Sequence, residues 1–242
     1  MRRAVVNVAS TEFYRRGQSR LTAALASANY GGSLLTWPNI PNDWPSHESI
    51  QYGFKACALH DAAANGFKQL LWCDACIVPL RSLDPIWAWA AVHGVWIGCN
   101  YGFSNYEWTA DSAYADLFPP LYDIDTARAV QRIIPHVIAT AFALDLRHPD
   151  GRAFLSEYHR LATQTRAFCG PWINAAHESY RGEPAPRAAL CGPSDVRGHR
   201  HDQTAASVIA WRLGIPLTDP PKFFAYRGGE TEETILMADG GY

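Results

Sequence analysis

Short apolar runs alternate along this chain with longer stretches whose apolar residues recur every three or four positions, and the two periods mark strands and helices. Residues 4–9 (AVVNVA) read as a first strand, followed by a polar loop, STEFYRRGQ. Residues 19–29 read as a helix, with Leu21 and Leu25 four apart among alanines. Residues 33–37 (SLLTW) form a second expected strand, and PNIPNDWPSHES is a proline-rich loop. Phe54, Ala58 and Ala62 fall at helical spacing within 49–65, and Asn65-Gly66 ends that helix. Residues 68–78 are the third expected strand. Further on, the pattern predicts helices over 85–93, 125–133, 151–168 and 202–213, and strands over 95–99 and 137–144. Gly214 stops the last helix. The stretch 102–120 is irregular and aromatic, 176–199 is a loop rich in Pro, Gly and Arg, and 227–242 is an acidic tail without a clear period.

Strand, loop, helix, strand, helix, strand is the order of a mainly parallel sheet joined by crossover helices. The expected fold is a single Rossmann-like α/β domain spanning 1–242, its central sheet flanked by helices. Ligands of such sheets gather beyond the carboxyl ends of the strands, where the loop after Ala9 and the end of the third strand both lie.

Composition narrows the reading. The chain has 242 residues, 48% of them hydrophobic, enough for a full core. A net charge of −2 gives no bulk attraction to nucleic acid or to a membrane surface. Local basic patches remain candidates at RHPDGR (147–152) and RGHRH (197–201). No apolar stretch approaches the ~20 residues of a bilayer span, so a cytoplasmic location is expected. The six scattered cysteines agree with reduced thiols.

Candidate chemistry starts at LLWCDACIVPL, 70–80, where Asp74 sits between Cys73 and Cys76 at the end of an apolar run. A charge there needs a metal, a partner or solvent. Cys73 and Cys76 have the spacing of a zinc knuckle, but strand alternation points them to opposite faces and no second pair completes the set. A redox pair wants a helix N-terminus, whereas this one ends a strand. In the remaining reading Asp74 is the working group.

On that reading GFKQLLWCDACIVPLRSLDPIW resembles the nucleotide-sugar glycosyltransferases of the A-type fold, in which an apolar strand delivers a DxD motif. VVNVAST resembles the family's first strand and nucleotide-contacting loop. YRRGQSRL and HESIQYGFKACAL resemble the donor-pocket loop and helix of a bacterial and phage-type branch. GRAFLSEYHRLATQTRAFCGPW resembles the acceptor-side helix and loop, and HRHDQTAASVIAWRLG the helix start near the sugar. Together these cover most of the chain from 4 to 215.

The resemblance implies transfer of a sugar from a nucleotide-diphosphate donor, commonly UDP-linked, to an acceptor hydroxyl. It makes 1–100 the nucleotide-sugar half and 101–242 the acceptor half. Implied donor-side residues are Ala9, Ser10, Thr11, Arg16, Gln18, Arg20, Lys55, Trp72, Asp74, Ala75 and Cys76. Gly170 and Trp172 fall on the acceptor side, and Asp202, His201 and Gln203 are catalytic candidates. The plain alternative for Asp202 is a helix cap.

The developing charge on the leaving diphosphate calls for Mg²⁺, Mn²⁺ or basic side chains. Cys76 replaces the second carboxylate and is a poor ligand for a hard cation. Asp74 is therefore expected to make a weak or water-mediated metal contact, helped by His199, His201 or Asp202. Otherwise Arg15, Arg16, Arg20 or Lys55 neutralises the diphosphate. The acceptor is expected to be a glycan, a protein or a hydroxymethylated DNA base, the last set against by the scarcity of clustered basic residues. A catalytically inactive nucleotide- or sugar-binding module is the rival that Cys76 suggests.

Overall fold

Five apolar runs pair into one sheet in a computed structural model of the protein, which describes residues 2–118, 123–177 and 191–240. Strands β1 (Arg3–Val8), β2 (Ser33–Trp37), β3 (Gln69–Cys73), β5 (Val95–Ser104) and β6 (Pro135–Asp145) lie in the order β2-β1-β3-β6-β5. The β1–β2 and β1–β3 pairs are parallel, and β6 is antiparallel to both of its neighbours. Four strands therefore run one way and β6 alone runs back, giving the mainly parallel α/β sheet that the pattern predicts. Helices α1 (Glu12–Ser27), α2 (Gly53–Ala64), α3 (Asp84–His93), α5 (Ile124–Ile133), α6 (Pro149–Gln164) and α7 (His201–Arg212) surround it, with a single turn α4 at Tyr114–Leu117. Every residue of β3 is buried, as expected of a strand covered on both faces.

The two faces carry separate cores. Phe54, Leu70, Trp72, Phe142, Phe154 and Tyr158 pack on one side under α2, α6 and α7. Leu21, Leu25, Leu71, Trp87 and Trp96 pack on the other under α1 and α3. Alternation along β3 sends Leu70 and Trp72 to the first core and Leu71 and Cys73 to the second, the two-residue period of a strand.

Three expectations are corrected. STEFYRRGQ is not a loop: α1 begins at Glu12, and Thr11 caps it by accepting a hydrogen bond from the Tyr14 amide. Its polar residues occupy the solvent face, while Gly17, Leu21 and Leu25 face inward. The run 68–78 is not one strand. β3 stops at Cys73, the chain turns at 74–76, and β4 (Ile77–Pro79) joins a second sheet. That sheet, ordered β4-β8-β7, recruits β8 (Thr234–Ala238) from the tail whose pattern is opaque and β7 (Phe223–Tyr226) from just before it. Finally, the basic segments are not basic patches. Arg147 is paired with Asp145, Arg197 with Glu107, and His199 and His201 are buried. The part of the 176–199 loop from 178 to 190 lies outside the described residues, as do 119–122 and 241–242.

Candidate functional site

Parallel β1 and β3 end side by side, and the chain leaving them forms the floor of a cleft of about 370 Å³. Val8, Ser10, Thr11 and Tyr14 line it from the β1–α1 junction, and Trp72, Asp74, Ala75 and Cys76 from the end of β3. His47, Glu48, Tyr52 and Phe54 close the far wall. The cleft thus lies beyond the carboxyl ends of the strands, where the topology places ligands. A second concavity of about 410 Å³, lined by Arg3, Tyr30, Asp84 and Trp87 among others, lies away from this junction.

The turn at 74–76 is held from several sides. The Asp74 amide donates to Thr140 O of β6 at 2.8 Å, and Asn7 Nδ2 donates to Cys73 O at 2.8 Å. Gln18 in turn donates to Asn7 Oδ1 at 2.7 Å. Gly17 lets α1 close on the turn, because a Cβ there would stand 2.3 Å from Ala75 O. Gln18 therefore steadies the residues that hold the turn.

At the centre is Lys55, with only 3% of its side chain exposed. Its ammonium meets Asp74 Oδ1 at 2.9 Å, Asp202 Oδ2 at 3.0 Å and Ala139 O at 3.2 Å. Three hydrogens meet three acceptors, and none is left for a phosphate. Burial opposes the charge, but the Asp202 and Asp74 carboxylates outweigh it and hold the ammonium above the ordinary lysine range. Trp72 Nε1 also donates to Asp74 Oδ1 at 2.7 Å, and the Tyr158 hydroxyl donates to Asp202 Oδ2 at 3.2 Å. Burial pushes both carboxyls upward, with Lys55 pulling back. Asp74 lines the cleft with 28% of its side chain exposed, whereas Asp202 is 6% exposed and lies beneath Lys55.

α7 begins at His201 in left-handed backbone, φ +50°, and Tyr52 before α2 has φ +61°. Such backbone is costly for residues with side chains and clusters at functional sites. The two rings face each other with centroids 5.7 Å apart, and Trp172 stacks on His201 at 5.6 Å. His201 Nδ1 donates to Phe168 O at 2.9 Å, so Nε2 keeps its lone pair, and burial lowers the pKa to about 4. His199 donates from Nε2 to Ala167 O at 3.0 Å and accepts from the Ala110 amide at 3.2 Å. Both nitrogens are used, which removes His199 as a metal ligand. Gly170 packs directly on that ring: a Cβ there would be 2.7 Å from it. Trp172 is half exposed, and the Arg200 guanidinium lies 4.2 Å from its ring and 4.0 Å from that of Trp108.

Other expected donor residues sit elsewhere. Ala9 is buried, its amide bonded to Trp37 O, and among the described residues Arg16 reaches only Glu12, on the solvent side of α1. Arg15 bonds Glu12 and Pro38 O. Arg20 pairs with Asp239 at 3.1 Å and so ties α1 to the tail. Tyr14, His47, Glu48 and Tyr52 line the cleft from the two segments whose resemblance implies a donor pocket, although none of the four stands out individually in the sequence. The left-handed turn at Tyr52 has no sequence marker, and the other three sit in polar stretches without period.

The donor set decides what metal the site fits. Cys76 is a protonated thiol, pushed up to about 12 by burial and by Asp74. Among the described residues no group of three His, Cys, Asp or Glu side chains is placed to hold an ion. The expected help from His199, His201 or Asp202 is therefore not in place, and a zinc site on Cys73 and Cys76 lacks its ligands. Asp74, at the end of β3, offers a hard cation a carboxylate oxygen on the cleft floor, with Glu48 on the far wall and no third ligand grouped with them among the described residues. That fits an ion held mainly by phosphate oxygens and water, as Mg²⁺ often is, and not a clamp formed by protein.

No protein-family model matches the chain, and no curated protein matches it. Among solved structures the whole chain is similar to a glycosyltransferase involved in glycosylating the major capsid of PBCV-1, at 11% identity, 96% coverage of that chain and a TM-score of 0.51. It is also similar over its whole length to the bifunctional glycosyltransferase WbbM, at 8% identity and a TM-score of 0.51, spanning 46% of that chain. The fold is the glycosyltransferase A-type fold. No helix among the described residues is long and apolar enough to cross a membrane.

Proposed function

We propose that the protein transfers a sugar from a nucleoside-diphosphate donor, UDP-linked by family resemblance, to an acceptor hydroxyl. One observation carries this reading: Lys55 joins Asp74, at the tip of β3 in the cleft, to Asp202 at the start of α7. A donor lying along the β1–β3 junction meets Ser10, Thr11 and the Tyr14 and Tyr52 rings, which suit a nucleoside. Trp172, on the acceptor side, offers a half-exposed face for a sugar. In the reaction the bond from the anomeric carbon to the diphosphate breaks, the acceptor oxygen bonds that carbon, and the acceptor proton balances the charge on the released diphosphate.

Asp74, Lys55 and Asp202 together carry one positive and two negative charges when ionised. Among the described residues the cleft lining adds Glu48 and no arginine or lysine. Positive charge must therefore accompany the diphosphate, and Mg²⁺ or Mn²⁺ held by Asp74 supplies it when bound. Asp202, capped by Lys55 and Tyr158, acts as the counter-ion that keeps Lys55 in place.

The test is thermal-shift screening of nucleotide sugars with and without Mn²⁺, followed by donor turnover in wild type and Asp74→Ala. At a hundred times its Kd a donor stabilises the fold by about 2.7 kcal/mol. Turnover in wild type and its loss in Asp74→Ala support the assignment; no stabilisation by any nucleotide sugar overturns it. Binding without turnover would instead support the inactive module that the DAC sequence suggests.

A further inference from the structure

Beyond the cleft, a chain of fully buried polar side chains runs from α5 to the start of α7. Asn105, Gln131 and His136 are each 0% exposed. Asn105 Nδ2 lies 3.1 Å from Thr204 O, a carbonyl that only accepts, and 2.7 Å from Gln131 Oε1. The Asn105 atom facing His136 Nδ1 at 2.8 Å is therefore Oδ1, which also only accepts. Ser207 adds an independent constraint. Its hydroxyl hydrogen goes to Gln203 O at 2.8 Å, so towards His136 Nδ1, at 3.5 Å, it too only accepts. Both neighbours require the proton on Nδ1.

Burial keeps this ring neutral, with a pKa near 3. Nε2 is then a bare lone pair, and the Gln203 atom 2.9 Å from it must donate. That atom is the amide nitrogen. Oε1 remains, on a half-buried residue next to Asp202, with no donor among the described residues reaching it.

We propose that His136 is a positioning residue: it locks the Gln203 amide so that its oxygen, and not its nitrogen, is presented at the start of α7. The ligand class this orientation selects is a hydroxyl donor, which a sugar supplies. The identity of the ligand rests on the transferase reading; the orientation does not.

The intact protein, labelled with ¹⁵N-histidine, tests the orientation directly. At pH 7 the His136 signals, assigned by their loss in His136→Gln, should show a protonated Nδ1 and an unprotonated Nε2. A protonated Nε2 or an imidazolium overturns the proposal, whether or not any donor is turned over. In Gln203→Glu the carboxylate should draw a proton onto Nε2, and the ring should become an imidazolium. With a donor in hand, Gln203→Glu, which keeps an oxygen towards the ligand, should retain about tenfold more kcat than Gln203→Met, with similar KM for donor. Equal kcat in the two folded variants also overturns it. Failure of every nucleotide sugar to react, with the tautomer as stated, removes the transferase assignment alone.

Discussion

Lys55 has three ammonium hydrogens and three acceptors, from an acid in the cleft, an acid beneath it and a backbone carbonyl. This arrangement explains how Asp74 is tolerated at the end of a fully buried strand: its charge is compensated from within the fold. Removing the cation would leave two carboxylates facing each other with little solvent, a defect that costs about 3–5 kcal/mol. Lys55→Met should lose that much in urea unfolding at neutral pH, and the deficit should narrow at pH 5 as the carboxyls, already held high by burial, take up protons. Wild-type stability in Lys55→Met would show that the triad is not ionised in the folded protein.

Helix α1 and the 74–76 turn make contact through a glycine. In Gly17→Ala two effects compete: better helix propensity, about 1 kcal/mol in favour, and a methyl driven against Ala75 O, about 1–3 kcal/mol against. The clash is with backbone and cannot be relieved by a rotamer, so the clash should win. Gly17→Ala is expected to lower the urea midpoint and to weaken the thermal shift given by a bound nucleotide. A variant more stable than wild type, with an unchanged ligand response, would contradict this. The same region shows where sequence is readable. A continuous apolar run locates β3, which is buried on both faces, and helical spacing locates α2, α6 and α7. The start of α1 is opaque because its polar side faces solvent, and β4 is hidden because an apolar run continues through a turn. Asp74, Lys55 and Asp202 each attract attention alone, but no local pattern shows that a single ammonium joins them.

The whole molecule keeps three histidines buried and neutral: His136 and His199 with pKa lowered to about 3, and His201 to about 4, each mainly by burial. In the unfolded chain they take up protons near pH 6.5, whereas in the folded protein they do so only at those lower values. Stability is therefore full above about pH 6.5 and is lost as pH falls, by up to about 1.4 kcal/mol per unit for each histidine. Asp74 and Asp202, held high, act in the opposite sense and offset part of the loss. Chemical denaturation should show a net decline of about 2 kcal/mol or more between pH 6.5 and 5; a level or rising stability would contradict this.

The Lys55 triad also has a consequence for biosynthesis. Lys55 and Asp74 lie close together in the sequence and Asp202 far beyond them, so a polypeptide still emerging from the ribosome holds the first two long before Asp202 exists. Until then the ammonium lacks one of its two counter-ions. Completion of the triad thus waits until the start of α7 has been made.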